Sequence, residues 1–171
     1  MFFKSGARKN LKWFVSCIPM FVLPFLLLFL FFTRDAYPLE GWLAYGATIL
    51  AVISCLASVL LINWAVLTHA EPIPLWHQES HQMPSTIIVS GPYGVVRHPF
   101  YLAYILLYFA TFLATLHWLA AALLIWGIAA NYLTARKEEL TIMASGIAAD
   151  YGQYRERVGM LFPKLSRSRR A

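Results

Sequence analysis

The chain of 171 residues is 60% hydrophobic and only 13% charged, and its mean hydropathy of +0.60 lies on the apolar side of ordinary soluble usage. This excludes an ordinary soluble enzyme and points to a membrane protein of one compact domain, because each spanning helix takes about 20 residues. The net charge of +6 does not indicate nucleic acid, since the basic residues sit at both chain ends and beside apolar runs, where membrane orientation uses them.

In chain order, the first apolar segment runs from Trp13 to Phe32 behind Lys4, Arg8, Lys9 and Lys12. It is too long for the apolar region of a signal peptide and is followed by FFTRDAYP rather than a small-residue cleavage site, so it is expected to stay as an anchor. Pro19 and Pro24 are expected to kink it. A second segment spans Trp42 to Leu67, a third Phe100 to Leu116, and a fourth Trp118 to Leu133. The last two meet at LHW, which predicts a tight helical hairpin. Beyond it, Arg136 to Val158 reads as a helix leaving the membrane and then an amphipathic segment, and the basic end KLSRSRRA as a contact for anionic lipid. Cys17 and Cys55 both fall inside apolar segments and read as packing thiols. Trp13, Trp42, Trp64, Trp76 and Trp118 lie near segment ends, as an aromatic belt would place them.

Loop charge predicts the orientation. The N-terminal tail carries four Lys/Arg, the loops Thr33 to Gly41 and Thr68 to Pro99 one each, and the tail after Leu133 eight. Both termini are therefore expected in the cytoplasm, and four spans put the long Thr68 to Pro99 loop on that side too.

That loop ends in GPYGVVRHPFY, Gly91 to Tyr101, which sets Arg97, His98 and Pro99 at the entrance of an apolar helix. Gly91 and Pro92 make a turn, and Pro99 belongs at a first helical position. Arg97 lies 20 residues before His117 and Glu138 lies 21 after it, so two antiparallel helices bring RHP and RKEE to nearly the same depth. Tyr101, Tyr104, Tyr108, Thr111 and Thr115 recur at helical spacing on the third segment, and Gly127, Asn131, Thr134 and Glu138 on the fourth. Such stripes face protein or a cavity rather than lipid. The plain alternative is interhelical hydrogen bonding with Arg97 and Lys137 as membrane anchors. His77, Glu79 and His81, with His69 and Glu71 nearby, lack strong ligand spacing, so no metal is expected.

GPYGVVRHPFYLAY, then RKEEL, then DYGQYRERVGMLFP, over Ile88 to Pro163, resembles the cofactor-binding half of the isoprenylcysteine carboxyl methyltransferase and phospholipid methyltransferase superfamily. The shared pattern is GPYxxxRHPxY, a hydrophobic stretch, EE, then YxxYxxxV and a proline. The resemblance implies an all-α, polytopic membrane protein of about four transmembrane helices, with a C-terminal helical hairpin and a cytoplasmic helical tail. It implies S-adenosyl-L-methionine as cofactor and a lipid-like or hydrophobic acceptor. On that reading, residues 1–85 are the acceptor side, 86–163 the cofactor-binding half and 164–171 a basic tail. Isoprenylcysteine carboxyl O-methylation is the activity most resembled, with phospholipid amine N-methylation, an NADPH-dependent reductase and a non-enzymatic scaffold as the alternatives.

By position, the resemblance carries cofactor contact to Tyr93, Arg97, His98, Pro99, Tyr101, Glu138 and Glu139, to which the polar stripe adds Asn131. Arg97 suits the cofactor's carboxylate as a two-pronged donor. Glu138 and Glu139 differ by about 100° around a helix, so one is expected at the cofactor's ammonium or ribose diol and the other on Arg97, His98 or loop backbone. His98 and Arg97 are the catalytic candidates; for His98 the roles of base, cofactor contact and structural hydrogen bond all stay open. The sequence departs from the family at Ala103, where glycine is usual, and at Ile147 and Ala148, which replace FG. Ala103 is expected to add a methyl where the backbone nears the cofactor.

Overall fold

The computed structural model describes residues 3–4, 8–9, 40–68 and 87–164. The expected span Trp13 to Phe32 with its proline kinks, the loop histidines from His69 to His81 and the basic end beyond Lys164 lie outside them. The regular structure of the described residues is helical apart from a short antiparallel pairing of Phe3–Lys4 (β1) with Arg8–Lys9 (β2) and a single bridge between Val96 and Gly159. The helices are α1 (Gly41–Thr68), α2 (Pro99–Thr115), α3 (Trp118–Met143) and α4 (Ala148–Arg157), with a 3-10 turn at Gly91–Gly94.

Among the described residues, two helices are long and apolar enough to cross a membrane. α1 has 28 residues and a mean hydropathy of 2.4 over its most apolar stretch, and α3 has 26 residues and 1.5. Their outward faces carry the apolar side chains: Leu43, Ile53, Leu56, Leu60 and Leu67 on α1 and Ile125 and Leu133 on α3 are exposed. A soluble fold would turn these residues inward. α2 is apolar but only 17 residues long, about 25 Å against a hydrocarbon layer of about 30 Å.

Small residues face the neighbouring helix instead. Ala51, Ser54, Ser58 and Ala65 are the buried positions of α1, and they let its backbone come close to α2. Ser58 Oγ donates to the Ala103 carbonyl at 2.7 Å, and Ala103 is fully buried. At Ala103 the backbone of α2 thus lies against α1.

Leu116 and His117 alone join α2 to α3. A link this short forces Leu116 into the left-handed region at φ 44°, at a cost of about 1–2 kcal/mol. Its N–H returns to the Phe112 carbonyl at 2.7 Å, and His117 Nδ1 accepts from the Leu119 N–H at 3.1 Å to cap α3. Gly127 of α3 lies so close to the Tyr108 ring of α2 that an added Cβ would overlap it.

Helix α3 passes Leu133, where the apolar run ends, and continues to Met143. Hydropathy marks where the segment stops being greasy, not where the helix stops, and Ala135 to Leu140 are all sound helix formers. α4 then folds back with Tyr151, Tyr154 and Val158 buried against Ile87 and Ile142.

The Gly127 contact predicts that Gly127→Ala lowers thermal stability in detergent by about 1–3 kcal/mol through overpacking. That loss should vanish in a Tyr108→Ala background, and additive losses would show that the two residues do not couple.

Candidate functional site

The loop before α2 is shaped by its backbone. Gly91 sits at φ 59° with the Thr68 side chain against it, Pro92 is buried in the 3-10 turn, and Val96 is buried beneath the loop. The chain after α4 then runs alongside as a strap. Its carbonyls at Gly159 and Met160 accept from the N–H groups of Arg97 at 2.8 Å and His98 at 3.1 Å. Only glycine fits at 159, because a Cβ there would collide with the Phe162 carbonyl.

Arg97 is held on three sides. Its Nε donates to Glu139 Oε1 at 2.7 Å, and its Nη1 donates to the carbonyls of Arg155 at 3.3 Å and of Val158. The side chains of Arg97 and Glu139 are 6% and 3% exposed, so removing one partner costs far more than breaking a surface ion pair, because it strands the other charge in the interior. Glu139 also faces His98 Nε2 at 3.2 Å through Oε1 and Arg155 Nε at 3.4 Å through Oε2.

Glu138, one position earlier, points elsewhere. Its Oε1 accepts from the Tyr101 hydroxyl at 2.5 Å, its Oε2 lies 3.8 Å from His98 Nδ1, and its side chain keeps 34% exposure. The two glutamates therefore divide the work: Glu139 is buried in the loop's support and Glu138 is reachable. The His98 ring stacks on Tyr101 with centroids 5.5 Å apart.

Burial lowers the pKa of His98 below its ordinary value, and this outweighs the opposing pull of Glu139. At neutral pH His98 is thus an uncharged imidazole whose Nε2–H donates to Glu139. Tyr154 donates to the Tyr93 carbonyl at 2.7 Å. Burial pushes the hydroxyls of Tyr93 and Tyr154 up to about 12, and burial with the charge of Glu139 raises that of Tyr151 as well.

The structure thus brings Arg97, His98, Tyr101, Glu138 and Glu139 into one cluster, with Tyr93 in the adjoining turn and Pro99 buried at the first position of α2. Asn131 is not in it. Its amide donates to the Gly127 carbonyl of its own helix at 2.7 Å, two turns and about 10 Å along α3 from Glu138. Thr134 faces outward, and Ala135 takes the buried position beside it. Arg97 does not stand ready as a two-pronged carboxylate donor, because Nε and Nη1 are already bound within the protein. Among the described residues, no three of His, Cys, Asp and Glu converge as metal ligands, and Cys55 is an exposed free thiol.

The tail pattern through Val158 reached the strap in sequence, but its role in holding Arg97 is what motif spacing missed. Val158 and Arg155 serve Arg97 through their carbonyls, and main-chain atoms leave no trace in residue type. Beside that pattern, Gly159 was a further signal, as a glycine directly after an amphipathic segment.

Removing one partner of the buried pair should be costly. Glu139→Ala is expected to lose about 3–5 kcal/mol of stability by thermal or denaturant unfolding in detergent, whereas Arg97→Met with Glu139→Leu should recover much of it. The unfolded chain protonates His98 near its ordinary pKa of about 6.5 while the folded chain resists, so its contribution is intact above that pH and stability falls as pH drops below it. Melting temperatures at neutral and mildly acidic pH should converge more in His98→Gln than in the parent, and an unchanged slope would rule His98 out. Compared with known protein families, curated proteins and solved structures, the chain finds no match.

Proposed function

We propose that the chain is a four-span membrane enzyme whose last two spans form a hairpin, and that it moves a methyl group from S-adenosylmethionine to a hydrophobic, membrane-embedded acceptor. The observation that carries this reading is the reachable Tyr101–Glu138 pair beside neutral His98, held at the charged ends of two apolar helices by the buried Arg97–Glu139 bond. The acceptor most in keeping with the sequence pattern is an isoprenylcysteine carboxylate.

The donor set fits such a cofactor. Glu138, with its partly exposed carboxylate, offers a partner for an ammonium or a ribose diol. The stacked rings of His98 and Tyr101 offer a flat aromatic edge. When bound, the cofactor supplies an activated methyl group on a sulfonium. The protein's task is then to align the acceptor and exclude water, without a covalent nucleophile. Arg97 and Glu139 fix the positions of His98 and the loop. For a carboxylate acceptor no proton needs to move, while for an amine acceptor neutral His98 is the base at hand.

Calorimetry of the detergent-purified protein with S-adenosylhomocysteine should show micromolar binding, about −8 kcal/mol, weakened at least about tenfold by Glu138→Gln, the worth of one hydrogen bond to a charged group. Unchanged binding in a folded Glu138→Gln protein would remove Glu138 from the site. Thermal protection by NADPH with indifference to S-adenosylhomocysteine would instead favour a reductase, and indifference to both a scaffold. Labelled methyl transfer into a lipid extract identifies the acceptor, and label confined to soluble metabolites would sink the membrane-acceptor assignment.

A further inference from the structure

On the α4 side of the Arg97–Glu139 pair lies an open cleft of about 400 Å³, lined by Arg97, Gly152, Arg155, Glu156, Met160 and Lys164. It falls within the size range of small-ligand sites. Three cations meet there against Glu156 in the wall and Glu139 behind it, so the cleft keeps a positive balance.

Its donors are not used up. Arg97 Nη2 is the one guanidinium nitrogen of that residue without a hydrogen bond among the described residues. Among the described residues, Arg155 spends only Nε, on Glu139 at 3.4 Å. Lys164 Nζ donates to the carbonyls of Arg155 at 2.7 Å and Glu156 at 3.0 Å, which leaves one of its three protons. These bonds hold Arg97 and Lys164 in place in the lining of the cleft. Pre-fixed cations with spare N–H groups around one concavity suit a tetrahedral, multiply charged oxyanion.

The surroundings say where such an anion comes from. Met160 is in the wall, and two residues on along the strap Phe162 is 74% exposed. Leu140 and Met143, in the last turn of α3, are exposed as well. That helix is one of the two fit to cross a membrane, and only residues 144–147 separate it from α4. Exposed apolar side chains next to unspent cations, a few residues from a spanning helix, are what a lipid–water interface accommodates.

We propose that this cleft binds the phosphate of an anionic lipid headgroup, with Arg155, Lys164 and Arg97 Nη2 as donors and Phe162 resting among the acyl chains. The site is distinct from the Tyr101–Glu138 pair and does not depend on the methyl-transfer reading. Lipid phosphate there would tie α4 and the strap to the membrane surface.

Gly152 gives a clean probe, because a Cβ added there meets nothing within 4 Å. Full-length protein in detergent is titrated with dioctanoyl phosphatidic acid, dioctanoyl phosphatidylcholine and inorganic phosphate. Phosphatidic acid should bind best, and Gly152→Glu and the double variant Arg155→Gln/Lys164→Gln should each weaken it at least about tenfold, the worth of one charge-assisted hydrogen bond. Arg136→Gln/Lys137→Gln, which removes two exposed charges outside the cleft, should change it less than about twofold. Equal losses in that control would mean diffuse surface charge and overturn the site, as would parent-like binding in the folded Gly152→Glu protein. Inorganic phosphate binding as tightly as phosphatidic acid would overturn the lipid source. Displacement of phosphatidic acid by S-adenosylhomocysteine would give the cleft to the cofactor and overturn the assignment.

Discussion

Everything near the charged end of this molecule depends on one buried bond, from Arg97 Nε to Glu139 Oε1 at 2.7 Å. A guanidinium and a carboxylate taken out of water repay their desolvation only when the remaining donors and lone pairs are also satisfied. That demand organises the neighbourhood. It recruits the carbonyls of Arg155 and Val158, the His98 ring and the Arg155 side chain, and it leaves no room for Glu139 to serve a ligand as well. Glu138 escapes it because one residue along a helix turns the side chain by about 100°, and so remains partly open.

A second constraint comes from the apolar helices. α1 and α3 turn Leu and Ile outward and reserve small residues for contact, so the helices approach through backbone and methyl groups. Ser58 on Ala103 and Gly127 against Tyr108 are two such contacts. Close packing makes the ends of α2 and α3 a rigid frame, and rigidity is what keeps Tyr101 and Glu138 at hydrogen-bond distance without a loop to adjust them.

Much of this was legible in the sequence, because hydropathy and residue spacing are local signals. Trp42 to Leu67 and Trp118 to Leu133 mark α1 and α3, and the counts on either side of His117 bring Arg97 beside the glutamates, as the hydrogen bond records. The end of α3 was not legible, since charged helix formers extend it without raising hydropathy. Nor could spacing say which glutamate would be buried, since that depends on α4 and the strap closing over Glu139. Asn131 shared a helical stripe with Glu138 yet found its partner in its own backbone at Gly127, a local alternative that side-chain amides commonly take. Arg97 looked free in sequence because carbonyl partners cannot be read from residue names.

The strap has a consequence for how the protein is made. The carbonyls that satisfy Arg97 lie 58 and 61 residues later in the chain, so the loop is synthesised well before its partners leave the ribosome. Until then the guanidinium must stay hydrated and RHP cannot settle into the apolar interior. Closure is thus a late event that only a chain translated past Gly159 can complete. A premature stop would leave an open, hydrated loop, a form that cellular proteolysis can tell from the finished molecule.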